Sequence, residues 1–319
     1  MQQTQRLRKL TGVRRGWSGW QELFSKESRT FFLFVSPWTI GFLIFTAYPM
    51  LASAYYSLTS YKVMLTPKWV GLDNYTYLLT KDINFKLALT NSVFYTAFSV
   101  PLGIIISLLM ASLLNQKKIV RGLTLWRSLF YLPAILPAVA SSFMFQWLFS
   151  YRYGPVSAVF RFFGAEPINF FTTSTAQWII VFFSLWGFGP GMIIFLAGLQ
   201  GIPAVLYEAA SIDGANKFQS FWHITVPGIS PVIFFQFTNG LIGAMQMFQV
   251  AWFMDALPQQ RAIFLGTLVY GNAFGGTGVG TAGGMGYASA VAWVIFAIVM
   301  LITALNFGGS RFWVHYEQI

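Results

Sequence analysis

The sequence predicts an all-α integral membrane protein with six transmembrane helices, and three observations carry that prediction. Of the 319 residues, 56% are apolar and only 9% are Asp, Glu, Lys or Arg, against about a quarter charged in a soluble domain. Mean hydropathy is +0.60. The charges are also segregated, with none in residues 31–61, 87–116, 128–151, 167–207, 218–254 or 262–310. A spanning helix needs roughly 20 mainly apolar residues, and a charge at its centre costs about 2.5–3.5 kcal/mol on insertion scales. Six charge-free stretches therefore read as six spans. The chain has no cysteine, which excludes a disulfide scaffold, and its composition excludes collagen and disorder.

The elements follow in order. Residues 1–30 form a basic leader in which Trp17, Trp20 and Phe24 fall at i, i+3 and i+7. Two readings stand for it: an interfacial helix on the cytoplasmic leaflet, or a basic tail. The first span is placed at 31–53. Ala52-Ser53-Ala54 resembles a cleavage site, but an apolar run of about 20 residues exceeds the ~7–15 of a signal peptide, so this is read as a retained span. The second span is placed at 88–114 and the third at 128–149. Trp126 and Trp147 would lie ~31 Å apart on a straight helix, as an aromatic belt requires. The fourth span, 176–199, contains Trp186-Gly187-Phe188-Gly189-Pro190-Gly191. Pro190 cannot donate to the Trp186 carbonyl, so a kink is expected there. The fifth span, 225–251, sets Gln236, Asn239, Gly243 and Gln246 on one helical stripe. The sixth is placed at 286–308, and a tail follows from 311 to 319.

Orientation follows from the basic residues. Lys and Arg of the leader, the second loop (Lys117, Lys118, Arg121, Arg127), the fourth loop (Lys217) and the tail (Arg311) outnumber those on the other side, thirteen to seven. The positive-inside rule puts both termini in the cytoplasm. This asymmetry accounts for the formal net charge of +11 without a nucleic-acid partner.

No enzyme signature is present. His223 and His315 are the only histidines, and no metal-ligand spacing exists. The nine carboxylates all lie in loops. The glycine-rich run from Gly271 to Gly286 lacks the Gly-Lys-Ser/Thr ending of a phosphate loop and reads as an external loop.

The informative loop is the fourth, residues 200–227. Pro203 suits the first turn of a short helix through about Ile212. Gly214 lets the backbone turn, and a second short helix runs from Ala215 to Trp222. Helix, glycine bend, helix makes a compact knob; on these local rules a plain interfacial loop is the competing reading. Ala209 and Ala210 permit close approach by another surface, and Glu208 offers a charged acceptor.

Tyr207-Glu208-Ala209-Ala210-x-Ile212-Asp213-Gly214-Ala215-Asn216 with Ile224-Thr225-Val226-Pro227 resembles the EAA signature of permease subunits from bacterial ABC importers. In its extended form it is similar to the carbohydrate-uptake class that includes the maltose and glycerol-3-phosphate permeases. Asn91-Ser92, Pro101-Leu102-Gly103, Arg127 to Pro133, Phe195 to Gln200 and Gly286 to Ala290 also resemble that class. The likeness covers roughly residues 30–310. One departure is Asp255-Ala256-Leu257-Pro258-Gln259-Gln260, where a Gly-Gly-Pro segment is common.

The resemblance implies the ABC importer permease fold over residues 31–310, in a bacterial inner or plasma membrane. It implies four kinds of partner: a second permease, two ATPase subunits, an external solute-binding protein and a sugar or oligosaccharide. ATP and Mg would sit on the ATPase subunits, leaving this chain without a cofactor and without enzymatic activity. Glu208, Ala209, Ala210, Asp213 and Gly214 would carry the ATPase-docking motif. The fourth and fifth spans would line the path, which adds Trp186, Gly187, Gln236, Asn239, Gly243 and Gln246. For the amide stripe, hydrogen bonding between helices is the competing reading. Matching by distance from the EAA motif also puts Phe183, Gly240, Ala244 and Met247 near substrate positions. Spans without Lys or Arg favour a neutral, hydroxyl-rich solute; acidic saccharides or glycerol phosphate esters are the competing reading, with the charge supplied by the partner permease. An ion-coupled secondary transporter, the competing class, would need intramembrane carboxylates or an internal repeat of spans, and neither is visible.

Overall fold

The computed structural model describes residues 26–62, 65–115, 122–172, 175–254, 257–275 and 284–315. The leader aromatics Trp17, Trp20 and Phe24, the basic residues Lys117, Lys118 and Arg121, and residues 316–319 lie outside these. The chain divides into a unit ending at Tyr55 and a unit beginning at Tyr56.

The first unit holds α1 (Lys26–Phe42), a π-helical turn (Leu43–Ala47) and most of α2 (Tyr48–Ser57). Phe34, Phe45 and other large apolar side chains along it are exposed, the surface a lipid-facing helix presents. The π turn has a local cause. Pro49 has no N–H and its ring crowds the carbonyl of Phe45, so the helix widens one turn earlier and Tyr48 N bonds to Leu43 O. The same arrangement recurs at the π turn Phe221–Thr225, two residues before Pro227, where Val226 N bonds to Phe221 O.

The second unit begins with α3 (Asp73–Thr80) and α4 (Ile83–Leu114). It continues through α5 (Leu123–Ile135), α6 (Ala138–Leu148), α7 (Pro155–Phe162), α8 (Ala176–Trp186) and α9 (Gly189–Gly201). Next come α10 (Ala204–Ile212), α11 (Lys217–Ser220), the second π turn, α12 (Val226–Gly228), α13 (Ser230–Met245) and α14 (Gln249–Phe253). The last elements are α15 (Gln259–Ala262), α16 (Leu265–Phe274) and α17 (Met285–Ser310). Helix α4 is the central post, packed against α8, α9, α13 and α16.

Among the described residues, three helices are long and apolar enough to cross a membrane, and three bent pairs of helices would each make one further span. The expected kink in the fourth span is a 49° bend between α8 and α9. The third stretch, read from the sequence as one span over 128–149, is two helices meeting at 96°. Pro137 forces this break, because the residue before a proline is pushed out of the helical region; Leu136 is extended, with ψ 136°. Trp126 and Trp147 thus sit on different arms, and the one-helix aromatic belt is not formed. The fifth stretch is bent by 66° between Lys217–Gly228 and Ser230–Phe253.

Long-range polar contacts hold α4. Asn91, almost fully buried, donates to the Ile263 carbonyl at 2.8 Å and accepts from Gln177 Nε2 at 2.7 Å. Leu265 N donates to Ser92 Oγ at 3.1 Å. At the start of α4, the buried Asp82 caps the helix by accepting from Asn84 N and Phe85 N, and it also accepts from the Tyr287 hydroxyl of α17. Gly286 N donates to Tyr61 O at 2.9 Å. Tyr287→Phe therefore removes a partner from a buried carboxylate, and its thermal unfolding in detergent should show a loss of about 1.5–3 kcal/mol. An unchanged midpoint would mean that the hydroxyl contributes nothing.

Candidate functional site

The fourth loop is closed by two local motifs placed back to back. Helix α10 ends in a Schellman arrangement: Ala215 N donates to Ala210 O at 2.9 Å and Gly214 N to Ser211 O at 3.2 Å. Such an ending needs a left-handed residue after the C-cap, and Gly214 supplies it with φ +80°. Two residues later Asn216 opens α11 with a reciprocal capping box, Gln219 N to Asn216 Oδ1 at 2.9 Å and Asn216 N to Gln219 Oε1 at 2.8 Å. The second helix begins at Lys217 and runs on through the π turn to Gly228, so it is longer than the Ala215–Trp222 helix the sequence suggests. The Tyr207 hydroxyl and Thr225 Oγ1, 2.8 Å apart, tie the two arms.

This frame presents Glu208, Ala209, Asp213 and Gly214 on the surface, with Ala210 half-buried. Around them stand exposed Val205, Leu206, Phe218, Trp222 and Ile212, the last 87% exposed. Val205, Leu206 and Ile212 had not been singled out from the sequence, although a run of apolar residues in a charge-bearing loop was the available signal.

A cavity of ≈ 330 Å³ opens at the bend of the fourth span. Gly187, Gln236, Asn239 and Gly243 line it, so four of the six residues expected from the sequence to line a path share one cavity; Gly240 and Ala244 join them. The other two stand elsewhere. Trp186 ends α8 and packs among Phe145 and Phe183. Gln246 lines a separate pocket with Gly266 and Phe296. The stripe assumed a continuous helix, but α13 stops at Met245 and Gln246 is its C-cap, so helical spacing no longer sets its direction. Phe183 and Met247 likewise belong to the aromatic cluster around Phe145.

The opposite wall is one that sequence reasoning missed. Tyr95, Ser99, Gly103 and Ser107 of α4 line the cavity. They recur every fourth residue, which puts them on one face of a helix, and that spacing was the unread signal. Ser107 Oγ donates to the Phe188 carbonyl at 3.2 Å. Gly191 allows the walls to approach: a Cβ there would lie 2.8 Å from Ser107 Oγ and 3.0 Å from Gln236 Nε2. The lining contains hydroxyls, amides and backbone, and no charged side chain. Its chemistry suits hydroxyl-bearing, uncharged solutes.

Residues 99–312 match the family described as "Binding-protein-dependent transport system inner membrane component". The probable ABC transporter permease protein YesP of Bacillus subtilis (strain 168) is 38% identical over 299 residues, covering 92% of this chain and 94% of that one. The arabinooligosaccharides transport system permease protein AraP of the same strain is 29% identical over 298 residues, covering 91% of each. A solved structure of a bacterial alginate ABC transporter, in complex with alginate pentasaccharide-bound periplasmic protein, superposes with a TM-score of 0.78. It covers 92% of this chain and 98% of that one at 21% identity.

Proposed function

The chain belongs to the family of binding-protein-dependent transport system inner membrane components, and from that premise we propose that it is the permease subunit of an ATP-driven importer of neutral sugars or oligosaccharides. The observation that carries the ATP-driven part is the exposed, doubly capped knob at 204–228. A rigid helix with small residues and one carboxylate is suited to seating in a groove on another protein. Glu208, Ala209, Ala210, Asp213 and Gly214 are its docking residues, and the occupants are two ATPase subunits that bind ATP and Mg. A second permease completes the pathway, and an external solute-binding protein supplies the sugar. Both termini lie in the cytoplasm, with residues 31–310 as the transmembrane domain, 1–30 as its leader and 311–319 as its tail.

The sugar assignment is supported by the likeness to AraP, an arabinooligosaccharides transport system permease protein, and by the uncharged cavity lining. In this reading the solute crosses along Gly187, Gln236, Asn239 and Gly243, and the α4 hydroxyls of Tyr95, Ser99 and Ser107 replace its water.

Purification of the tagged, full-length chain from its own membranes tests the proposal. An ATPase subunit and a second permease should accompany it. Glu208→Lys should lose the ATPase and keep the second permease. Uptake should fall on the order of thirty-fold or more, as expected when about 2 kcal/mol or more is lost at a buried charge contact. An ATPase that stays bound to the Lys variant, with normal uptake, would refute the docking assignment.

A further inference from the structure

We propose that a second cleft, at the end of the fourth span opposite the knob, is a receiving subsite for a saccharide residue, distinct from the cavity at the bend. The inference rests on the saccharide-importer reading and names a site for the same class of ligand. The cleft measures ≈ 480 Å³, within the size of about 300–1,000 Å³ usual for small-molecule sites. It lies between the last turns of α6 and the segment leading to α8, and is lined by Trp147, Tyr151, Tyr153, Gln146, Ser150 and Asn169, among others.

Its frame is fixed while its side chains are left unfilled. The loop carbonyls are taken: Ser150 O accepts from Gly154 N and from the buried Ser157 Oγ. Arg161 Nη2 donates to the carbonyls of Tyr151 and Arg152 at 3.0 and 2.8 Å. Gly154 is required for this tight path, because a Cβ there would stand 2.6 Å from the Leu148 and Ser150 carbonyls. Gln146 is aimed by its Nε2 bond to Phe253 O at 2.9 Å, which leaves its Oε1 for a ligand. Asn169 Oδ1 holds Phe171 N at 3.1 Å, which leaves its Nδ2. The hydroxyls of Tyr151, Tyr153 and Ser150 make no hydrogen bond among the described residues.

The cleft thus joins three aromatic rings with donors and acceptors of both kinds. A sugar ring has the matching character, with C–H faces that pack on aromatic rings and a rim of hydroxyls that need partners. Because the two amides are already held in place, binding costs little ordering of these groups. A membrane-interface belt would explain exposed Trp and Tyr. It gives no reason for two anchored amides to meet them in one concavity.

The test uses the complete chain in lipid nanodiscs, with maltotriose and arabinotriose as probes and saturation-transfer NMR as the readout. A Gly191→Leu chain, whose cavity at the bend is filled, should keep the transfer signal. Trp147→Leu should weaken binding roughly ten-fold, about 1.4 kcal/mol, while Trp147→Phe, which keeps a ring face but no indole N–H, stays near the parent. Tyr151→Phe should give a smaller loss. The subsite is overturned if neither probe binds any of these chains, or if Gly191→Leu abolishes the signal and Trp147→Leu leaves it intact. It is also overturned if Leu and Phe at 147 weaken binding equally, the result an interface belt would give. Uptake of both trisaccharides by cells carrying the parent chain separates the two readings. Import with no binding at 147 removes the subsite alone, and no import of any saccharide removes the importer reading and the subsite with it.

Discussion

Gly214→Val brings uptake to background while the protein remains folded in the membrane. Space is not the reason, since no atom beyond its chain neighbours lies within 4 Å of a Cβ placed on Gly214. The reason is φ +80°. An L residue held there costs roughly 1–2 kcal/mol, and a β-branched one is a steric outlier. The loop cannot absorb that strain locally, because the Schellman bonds on one side and the Asn216–Gln219 box on the other leave only Ala215 between them. Relief comes from changing the angle between α10 and α11, which turns Glu208 away from the direction in which the proposed ATPase would meet it. Immunoblotting of membranes and thermal unfolding should match the parent, and labelled-sugar uptake should not. Gly214→Asn, which tolerates the left-handed region, should retain most activity. A Val variant with normal uptake would mean that the bend does not set the docking geometry.

Gly191→Leu closes the cavity at the bend. The new side chain starts between Ser107 Oγ and Gln236 Nε2, on the wall of the ≈ 330 Å³ space. Uptake should drop on the order of a hundred-fold, equivalent to about 2.7 kcal/mol on the limiting step. ATPase binding in the co-purification assay should be unaffected, because α9 keeps its helix and the knob its caps. Gly191→Ala should lie between the two, since Ser107 can rotate away from a single methyl. Unimpaired uptake by the Leu variant would put the solute's route somewhere other than this cavity.

What the sequence made legible was what local rules decide. The charge-free stretches located the apolar segments, and Pro190 placed the bend of the fourth span. The knob was readable because helix, Gly214 and capping residues are all within twenty residues of one another. Helical spacing was right where the helix continues, for Gln236, Asn239 and Gly243, and misleading at Gln246, where α13 has already ended. Pro137 was present in the third stretch and its effect on Leu136 was overlooked, so two helices at 96° were read as one span. The wall formed by Tyr95, Ser99, Gly103 and Ser107 had a visible four-residue period, but serines and a glycine within an apolar run look like ordinary helix packing. The remaining contacts were out of reach in principle. Asn91 with Ile263 and Asp82 with Tyr287 join residues 172 and 205 positions apart, and no local pattern names the second member of either pair.

The divided fourth span has a mechanical consequence. Its first half, α8, is clamped to the central post by Gln177 on Asn91. Its second half, α9, runs 13 residues, roughly 20 Å, from the break to the threshold of the knob. A rod of that length, pivoting at Gly187–Phe188 beside the cavity, is a lever whose fulcrum is part of the wall it moves. A small push at the knob end would therefore be delivered as a tilt of Gly191 against Ser107 and Gln236, so the cavity would widen or pinch without any motion of the α8 anchor.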